Sequence, residues 1–308
     1  MSMKICMVAL VFYFAVEVGV TAEQVPFTQD EYGRLYLPVS THPPSEHILL
    51  FDSGAGRSAI IESDTVLMGA KLYRKGKLRH LASSGFRHVP FAYVKNMTVG
   101  GVEVNRHIVA LYPFSLGSID VPVRGLVGFD VFRGYLLHIR QIPGFIETYT
   151  TSAYLDRKKW GLLTGWPNDN ASILSSFMHD GIEISVLLAT GYSHSAVNSL
   201  AYEIFKATPG ATKGPVIKVA RGMGNSTGTF RSLNIKNLTV KNWAIGDVTV
   251  ARIRLNTQML TGYMNTPLLV LGADVLMAQD VIFDFRAFQL WYPIEQSVKP
   301  SAVAAVQN

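Results

Sequence analysis

The chain has 308 residues, 48% of them apolar, which is enough for one large domain or two ordinary ones with a full core and excludes global disorder. Its formal charge of +6 comes with no nucleic-acid recognition motif. Its single cysteine, Cys6, excludes an internal disulfide, a cysteine-ligated metal site and an iron-sulfur cluster.

Taken in order, Lys4 precedes an apolar run from Ile5 to Val16, and the small residues of Val20-Thr21-Ala22 suit cleavage before Glu23. Residues 1–22 read as an export signal that would carry away Cys6. An uncleaved anchor is the alternative, but the run is shorter than the roughly 20 apolar residues that cross a bilayer and Glu17 interrupts it. Removing it leaves the net charge unchanged, because Lys4 and Glu17 cancel. Arg34 to Val39 alternates as a strand does, Pro43-Pro44 marks a turn, and Glu46 to Phe51 runs into Asp52. Ile61 to Ala70 reads as a short helix. The basic cluster Lys71, Arg74, Lys75, Lys77, Arg79 and His80 then reads as a solvated face. Leu81 to Phe86 offers a small-residue turn, Phe91 to Val99 a strand closed by Gly100-Gly101, and Val109 to Tyr112 another. Between the units, Ile142 to Ala171 contains Pro143-Gly144, Asp156 to Lys159 and Trp166 to Asn170, linker chemistry with a short helix that marks 146–172 as a linker, and residues 296–308 read as a frayed tail.

The second half repeats the first. Phe177 to Ile184 carries Asp180-Gly181 as a hairpin turn, and Asn198 to Lys206 reads as a helix. Leu49 to Ile60 (LLFDSGAGRSAI) corresponds to Val186 to Val197 (VLLATGYSHSAV), with Asp52 matched by Ala189 at an offset of 137. Lys95-Asn96-Met97-Thr98-Val99 returns as Lys236-Asn237-Leu238-Thr239-Val240 at 141, and Leu126-Val127-Gly128 as Val270-Leu271-Gly272 at 144. Three motifs in one order with slowly drifting offsets imply duplication of one mainly β unit, as 23–145 and 173–295.

Asp52-Ser53-Gly54-Ala55 at a strand end, followed by Leu126-Val127-Gly128 and then by a second copy of both, resembles the aspartic peptidases of the pepsin and retropepsin superfamily. The resemblance implies an all-β fold of two retropepsin-like lobes facing across a peptide-binding cleft, with Asp52 and Ala189 at its floor. It implies a peptide or protein ligand and no cofactor. Ser53 and Thr190 fall where the family braces its two loops, Gly54 and Gly191 where those loops turn, and Ser84, Gly85 and Phe86 where it carries a flap. Arg221 to Asn225 is the flap's counterpart. A plain surface turn is the other reading of both segments.

Two carboxylates sharing one proton divide the labour in that chemistry, one acting as base on water while the other polarises the scissile carbonyl. Asp52 keeps the first position and Ala189 leaves the second vacant. Without a charged neighbour, Asp52 is expected near an ordinary carboxylate pKa. Tyr192 replaces a usually small residue and could fill part of the cleft floor. The expectation is a pseudoprotease; the alternative is an active endopeptidase whose second acid comes from self-association, or from Asp120 or Asp180. A monomer fits better than a homodimer, since the second lobe should already fill the partner's place.

The remaining features carry less. The eight histidines show no metal-binding spacing, and Asp130 and Asp274 hold equivalent structural positions. Asp284 reads as structural. Asn96, Asn170, Asn225 and Asn237 begin glycosylation sequons, which matter only in a host that modifies exported proteins.

Overall fold

A computed structural model of the chain describes residues 23–41, 45–73, 76–82, 85–113, 123–152, 155–167, 172–221, 228–255 and 265–294. The expected signal at 1–22, the tail at 296–308, and the residues Ser84, Asp120, Asn170, Gly222 to Asn225, Arg74 and Lys75 lie outside them. No helix among the described residues is long and apolar enough to cross a membrane.

Each half forms an eight-stranded sheet, and the two sheets share one strand order. In the first it runs Thr28–Gln29, Leu35–Thr41, Ser45–Phe51, Val123–Val127, Ala59–Ile61, Val102–Tyr112, Phe91–Val99, Ala70–Leu72. In the second it runs Trp166–Pro167, Ile173–His179, Ile182–Leu188, Leu268–Leu271, Ala196–Val197, Trp243–Arg252, Ser232–Val240, Thr212–Lys213. The fold is thus all-β and built from two equivalent lobes.

Side-chain alternation explains how the central strands deliver their loops. In Ser45–Phe51, Leu49 and Phe51 enter the main core while Leu50 enters a separate cluster with Tyr36, Val89 and Leu126. Successive side chains point to opposite faces, so Asp52 falls on the Leu50 side. In Ile182–Leu188, Val186 and Leu188 enter the main core, whereas Leu187 and Ala189 join the second lobe's own cluster. Burial on both faces is why these strands read as unbroken apolar runs.

A six-stranded sheet, Gln24–Pro26, Phe145–Tyr149, Leu136–Arg140, Val281–Asp284, Gln289–Pro293, Trp160–Thr164, joins the halves. Leu137 pairs with Phe283, and Ile139 with Val281. On it Phe51 meets Phe132 at 5.7 Å and Phe283 at 6.0 Å, both edge to face, so the residue before Asp52 is locked into an aromatic core drawn from both halves.

Two local expectations change. The segment 146–172 carries most of the strand Phe145–Tyr149, the strands Trp160–Thr164 and Trp166–Pro167, and no helix among its described residues. The partner of Trp160 is Pro293, far away in sequence, so nothing local announces the pairing. Ile61 to Ala70 yields only a single 3₁₀ turn, Glu62–Asp64. Gly69 at φ +59° ends any continuation. The second expected helix forms as Ser199–Ala207, with the Asn198 side chain accepting from the Ala201 N–H at 2.9 Å.

His138 lies buried in the joining sheet, 3.6 Å from Glu147. Burial, helped by the Arg140 charge and opposed by Glu147, pushes its pKa down to about 4. An imidazole kept neutral in the fold takes up a proton on unfolding. Stability is therefore expected to fall as pH drops from about 6.5 to about 4, by up to about 3 kcal/mol from this residue. Urea unfolding across that window would show it, and His138→Gln should flatten the slope; an unchanged slope would rule this residue out as its source.

Candidate active site

Asp52 and Ala189 stand at equivalent points of two loops with matching backbone bonds. The Asp52 N–H donates to Val127 O and the Ala189 N–H to Leu271 O, both at 3.0 Å. Ala55 N–H returns to Asp52 O at 3.0 Å, as Tyr192 N–H does to Ala189 O. The apolar-apolar-Gly segments close behind. Phe129 N–H reaches Ala55 O at 2.8 Å and Ala273 N–H reaches Tyr192 O at 2.7 Å. A Cβ on Gly128 would stand 2.5 Å from Ala55 O, and one on Gly272 2.7 Å from His194 C, so each position needs glycine for close approach.

Four buried hydrogen bonds cross between the loops. Thr190 Oγ1 accepts from Ser53 N–H at 2.9 Å and donates to Phe51 O at 2.9 Å. Ser53 Oγ accepts from Thr190 N–H at 3.2 Å and donates to Leu188 O at 3.1 Å. Ser53 and Thr190 are both fully buried. Gly54 and Gly191 then bring the backbones together. A Cβ on Gly191 would stand 2.2 Å from Asp52 Oδ2, and one on Gly54 2.7 Å from Ala189 Cβ.

Asp52 is 8% exposed, and its Oδ1 accepts from Gly54 N–H at 2.9 Å and Gly191 N–H at 3.3 Å. Its pKa is raised, against the expectation of an ordinary value. Burial disfavours the ion by more than the two N–H groups and the Arg34 charge favour it. A carboxyl with a raised folded pKa costs nothing below its unfolded value near 3.8 and weakens the fold as pH rises through the folded value. Asp52→Asn is therefore expected to raise the melting temperature at pH 7 and to leave it unchanged near pH 3. Equal melting at both pH values would contradict the buried-charge reading.

The structure brings Ser53, Gly54, Thr190, Gly191, Ala189 and Tyr192 around Asp52. Tyr192 is 9% exposed and packs in the second lobe's cluster with Ala189, Val219 and Phe230. Burial pushes its phenol up to about 12, with Arg221 lowering it and Asp52 raising it, so the ring lies within range of both charges. Leu78–Ala82 and Gly85–Val89 form a hairpin pairing Ala82 with Gly85, and its base packs through Leu78 and Val89 onto the Leu50 cluster. Gly85 and Phe86 begin its return strand. Ile217–Val219 and Gly228–Phe230 make the second lobe's hairpin.

Other acids are used elsewhere. Asp130 accepts from Ser58 Oγ at 2.7 Å and Asp274 from Ser195 Oγ at 2.8 Å, equivalent bonds that hold the loop behind each lobe's site. Asp284 pairs with Arg286 at 3.0 Å. Asp180 sits in the turn before Ile182–Leu188, and a seven-residue strand, about 23 Å, separates it from Ala189. That distance removes it as a second acid. A cavity of about 470 Å³ lies at this distal end, lined by Phe177, His179, Asp180, Thr208 and Lys236. Among the described residues no three His, Cys, Asp or Glu side chains are placed to hold a metal.

Three contributors were not anticipated, and a fourth, Arg221, only as the start of the second flap. Ser172 Oγ donates to Gly54 O at 2.6 Å, a further bond between the halves. Arg34, bound to Asp30 at 2.7 Å, favours the ionised form of Asp52. Ser193 donates its N–H to Ala220 O at 2.9 Å and accepts from Ala220 N–H at 2.8 Å, tying the Ala189 loop to the second hairpin; Arg221 follows, bridged to Tyr192. Of the three, only Ser193 left a sequence signal, since it stands where the first repeat has Gly56.

No protein-family model and no curated protein matches the chain. Among solved structures it is similar to the aspartic proteinase from Irpex lacteus, with 13% identity, a TM-score of 0.53, and coverage of 94% of this chain and 100% of that one. At that identity the likeness speaks for the architecture, and the chain has the pepsin-like, bilobal acid-protease fold.

Proposed function

We propose that this is an exported protein that binds an extended peptide or protein segment in the cleft between its lobes and hydrolyses it poorly. The observation that carries the reading is Ala189. It occupies the counterpart of Asp52 in an intact frame of loop bonds, and alanine can neither share a proton nor polarise a carbonyl. An extended ligand would pair with strand edges under the hairpin 78–89, its side chains entering pockets on either side. The preserved frame argues for retained use of the cleft.

Self-association of two Asp52 residues is disfavoured, because the Ala189 loop is bonded into the place a second copy would need. The deciding experiment incubates the purified mature chain with a mixed protein substrate from pH 3 to 7, beside Asp52→Asn. No cleavage by either supports the proposal. Cleavage by the parent that the variant lacks would establish an active endopeptidase and overturn it.

A further inference from the structure

We propose that the cavity at the distal end of the second lobe binds a neutral saccharide and leaves the cleft free. Duplication supplies the control, because the cavity is built from features by which the second lobe departs from the first. Lys95-Asn96-Met97-Thr98 lies in regular register, with Asn96 opposite Asn105 and Thr98 opposite Glu103. Its repeat, Lys236-Asn237-Leu238-Thr239, is interrupted: the register shifts on both sides of Leu238, and Asn237 has φ +50°. Bulges of this kind re-aim side chains and recur beside functional sites. All four residues of the interrupted segment line the cavity. The second departure is the helix Ser199–Ala207, where the first lobe has a single 3₁₀ turn. Its C-terminal cap, Thr208, is part of the cavity wall and holds His179 Nε2 at 2.7 Å, while the imidazole packs on Phe205 at 4.8 Å.

The chemistry of the lining selects the ligand class. Lys236 Nζ is bound to Asp247 at 2.6 Å, Lys241 Nζ donates to Thr164 O at 3.1 Å, and Asp180 stands 3.8 Å from His179. An ion of either sign would meet a like charge here, Asp180 or the two lysines. Hydrogen-bonding capacity is nevertheless left over. Each ammonium has three N–H groups and spends one. The Asn237 side-chain amide has no partner among the described residues, its bonds being made by the backbone. Asp180 and Thr239 are exposed and add acceptors. Phe177, Ile235 and Leu238, all buried, supply the apolar part of the lining. A purely apolar ligand would desolvate the polar groups without replacing their bonds. Hydroxyls that each donate and accept, carried on a ring with C–H faces, satisfy both parts, and a saccharide has them. The volume of about 470 Å³ lies within the ~300–1,000 Å³ of small-molecule sites. The strand Ile182–Leu188 keeps the cavity about 23 Å from Ala189, so the two sites can be filled together.

The test uses the mature chain, made without glycosylation so that Asn237 carries no sugar of its own. Calorimetry and saturation-transfer NMR follow maltose, cellobiose and diacetylchitobiose, beside inorganic phosphate and glutamate. The expected result is saturable binding of at least one disaccharide, tighter than either ion, that weakens at least about tenfold in Asn237→Gly and in Asp180→Gly. Glycine keeps the left-handed backbone of both positions while removing the side chain. Both variants should melt like the parent, and if one melts lower the other decides. Binding of none of the disaccharides, tighter binding of phosphate or glutamate, or disaccharide binding untouched by both substitutions would each overturn the proposal. Displacement of the disaccharide by a peptide bound in the cleft would place it there instead and overturn the proposal too.

Discussion

Ala189→Asp is expected to create an acid protease, with peptide cleavage rising by about 10³-fold or more above the parent, since members of a catalytic unit act together. The frame already makes room for the second carboxyl. On one side, a Cβ at Gly191 would strike the Asp52 carboxyl at 2.2 Å, so glycine there is what admits the acid. On the other, Gly54 holds the same relation to Ala189, 2.7 Å from its Cβ, and offers the matching space. The N–H groups of Gly54 and Gly191, which now serve Asp52 alone, lie between the two positions and can serve both. Two carboxyls so placed share one proton, driving one pKa down and the other up, so the new activity should peak in acid and fall toward pH 7. Adding Asp52→Asn to the gain-of-function variant should return it to the parent's level. If Ala189→Asp folds, melts like the parent and still does not cut, Ala189 is not what silences the site.

Much of this site was legible in the sequence because duplication supplied its own control. The repeat at offsets 137, 141 and 144 identified equivalent strands, and the two sheets have the same order throughout. Asp52, Ala189 and their glycines were legible because a strand end followed by small residues is a local pattern. The joining sheet was not. The pairings of Trp160 with Pro293 and Leu136 with Asp284 span long separations, and only the folded core brings them together. The Asp52 pKa was misjudged for a related reason. Loss of a charged neighbour can be read from the sequence, whereas the depth to which the aromatic core and the second loop bury the carboxyl cannot. The pairing of Arg221 with Tyr192 was not legible, because it depends on a single bridge between separate segments.

Thr190→Val is expected to be the most destabilising isosteric change near the site, by about 2–6 kcal/mol. Valine keeps the volume and removes one hydroxyl, which accepts from Ser53 N–H and donates to Phe51 O, each at 2.9 Å. Both partners then remain buried without that bond, and each such group costs about 1–3 kcal/mol. Against a typical total of about 5–15 kcal/mol the loss is large. It should also separate the lobes before it unfolds them, because Phe51 and Ser53 belong to one half and Thr190 to the other. Thr190→Ser, which keeps the hydroxyl, should recover most of the loss. Ser53→Ala removes the reciprocal bonds to Leu188 O and Thr190 N–H. The double variant should fall short of the sum of the singles, since each leaves the other's network already broken. Urea unfolding of the four proteins measures this directly. A Thr190→Val protein within about 0.5 kcal/mol of the parent would mean that the joining sheet and the Phe51 aromatic core hold the lobes together without the loop bonds. Retention of those bonds beside a vacant acid position would then have to be explained by ligand binding alone.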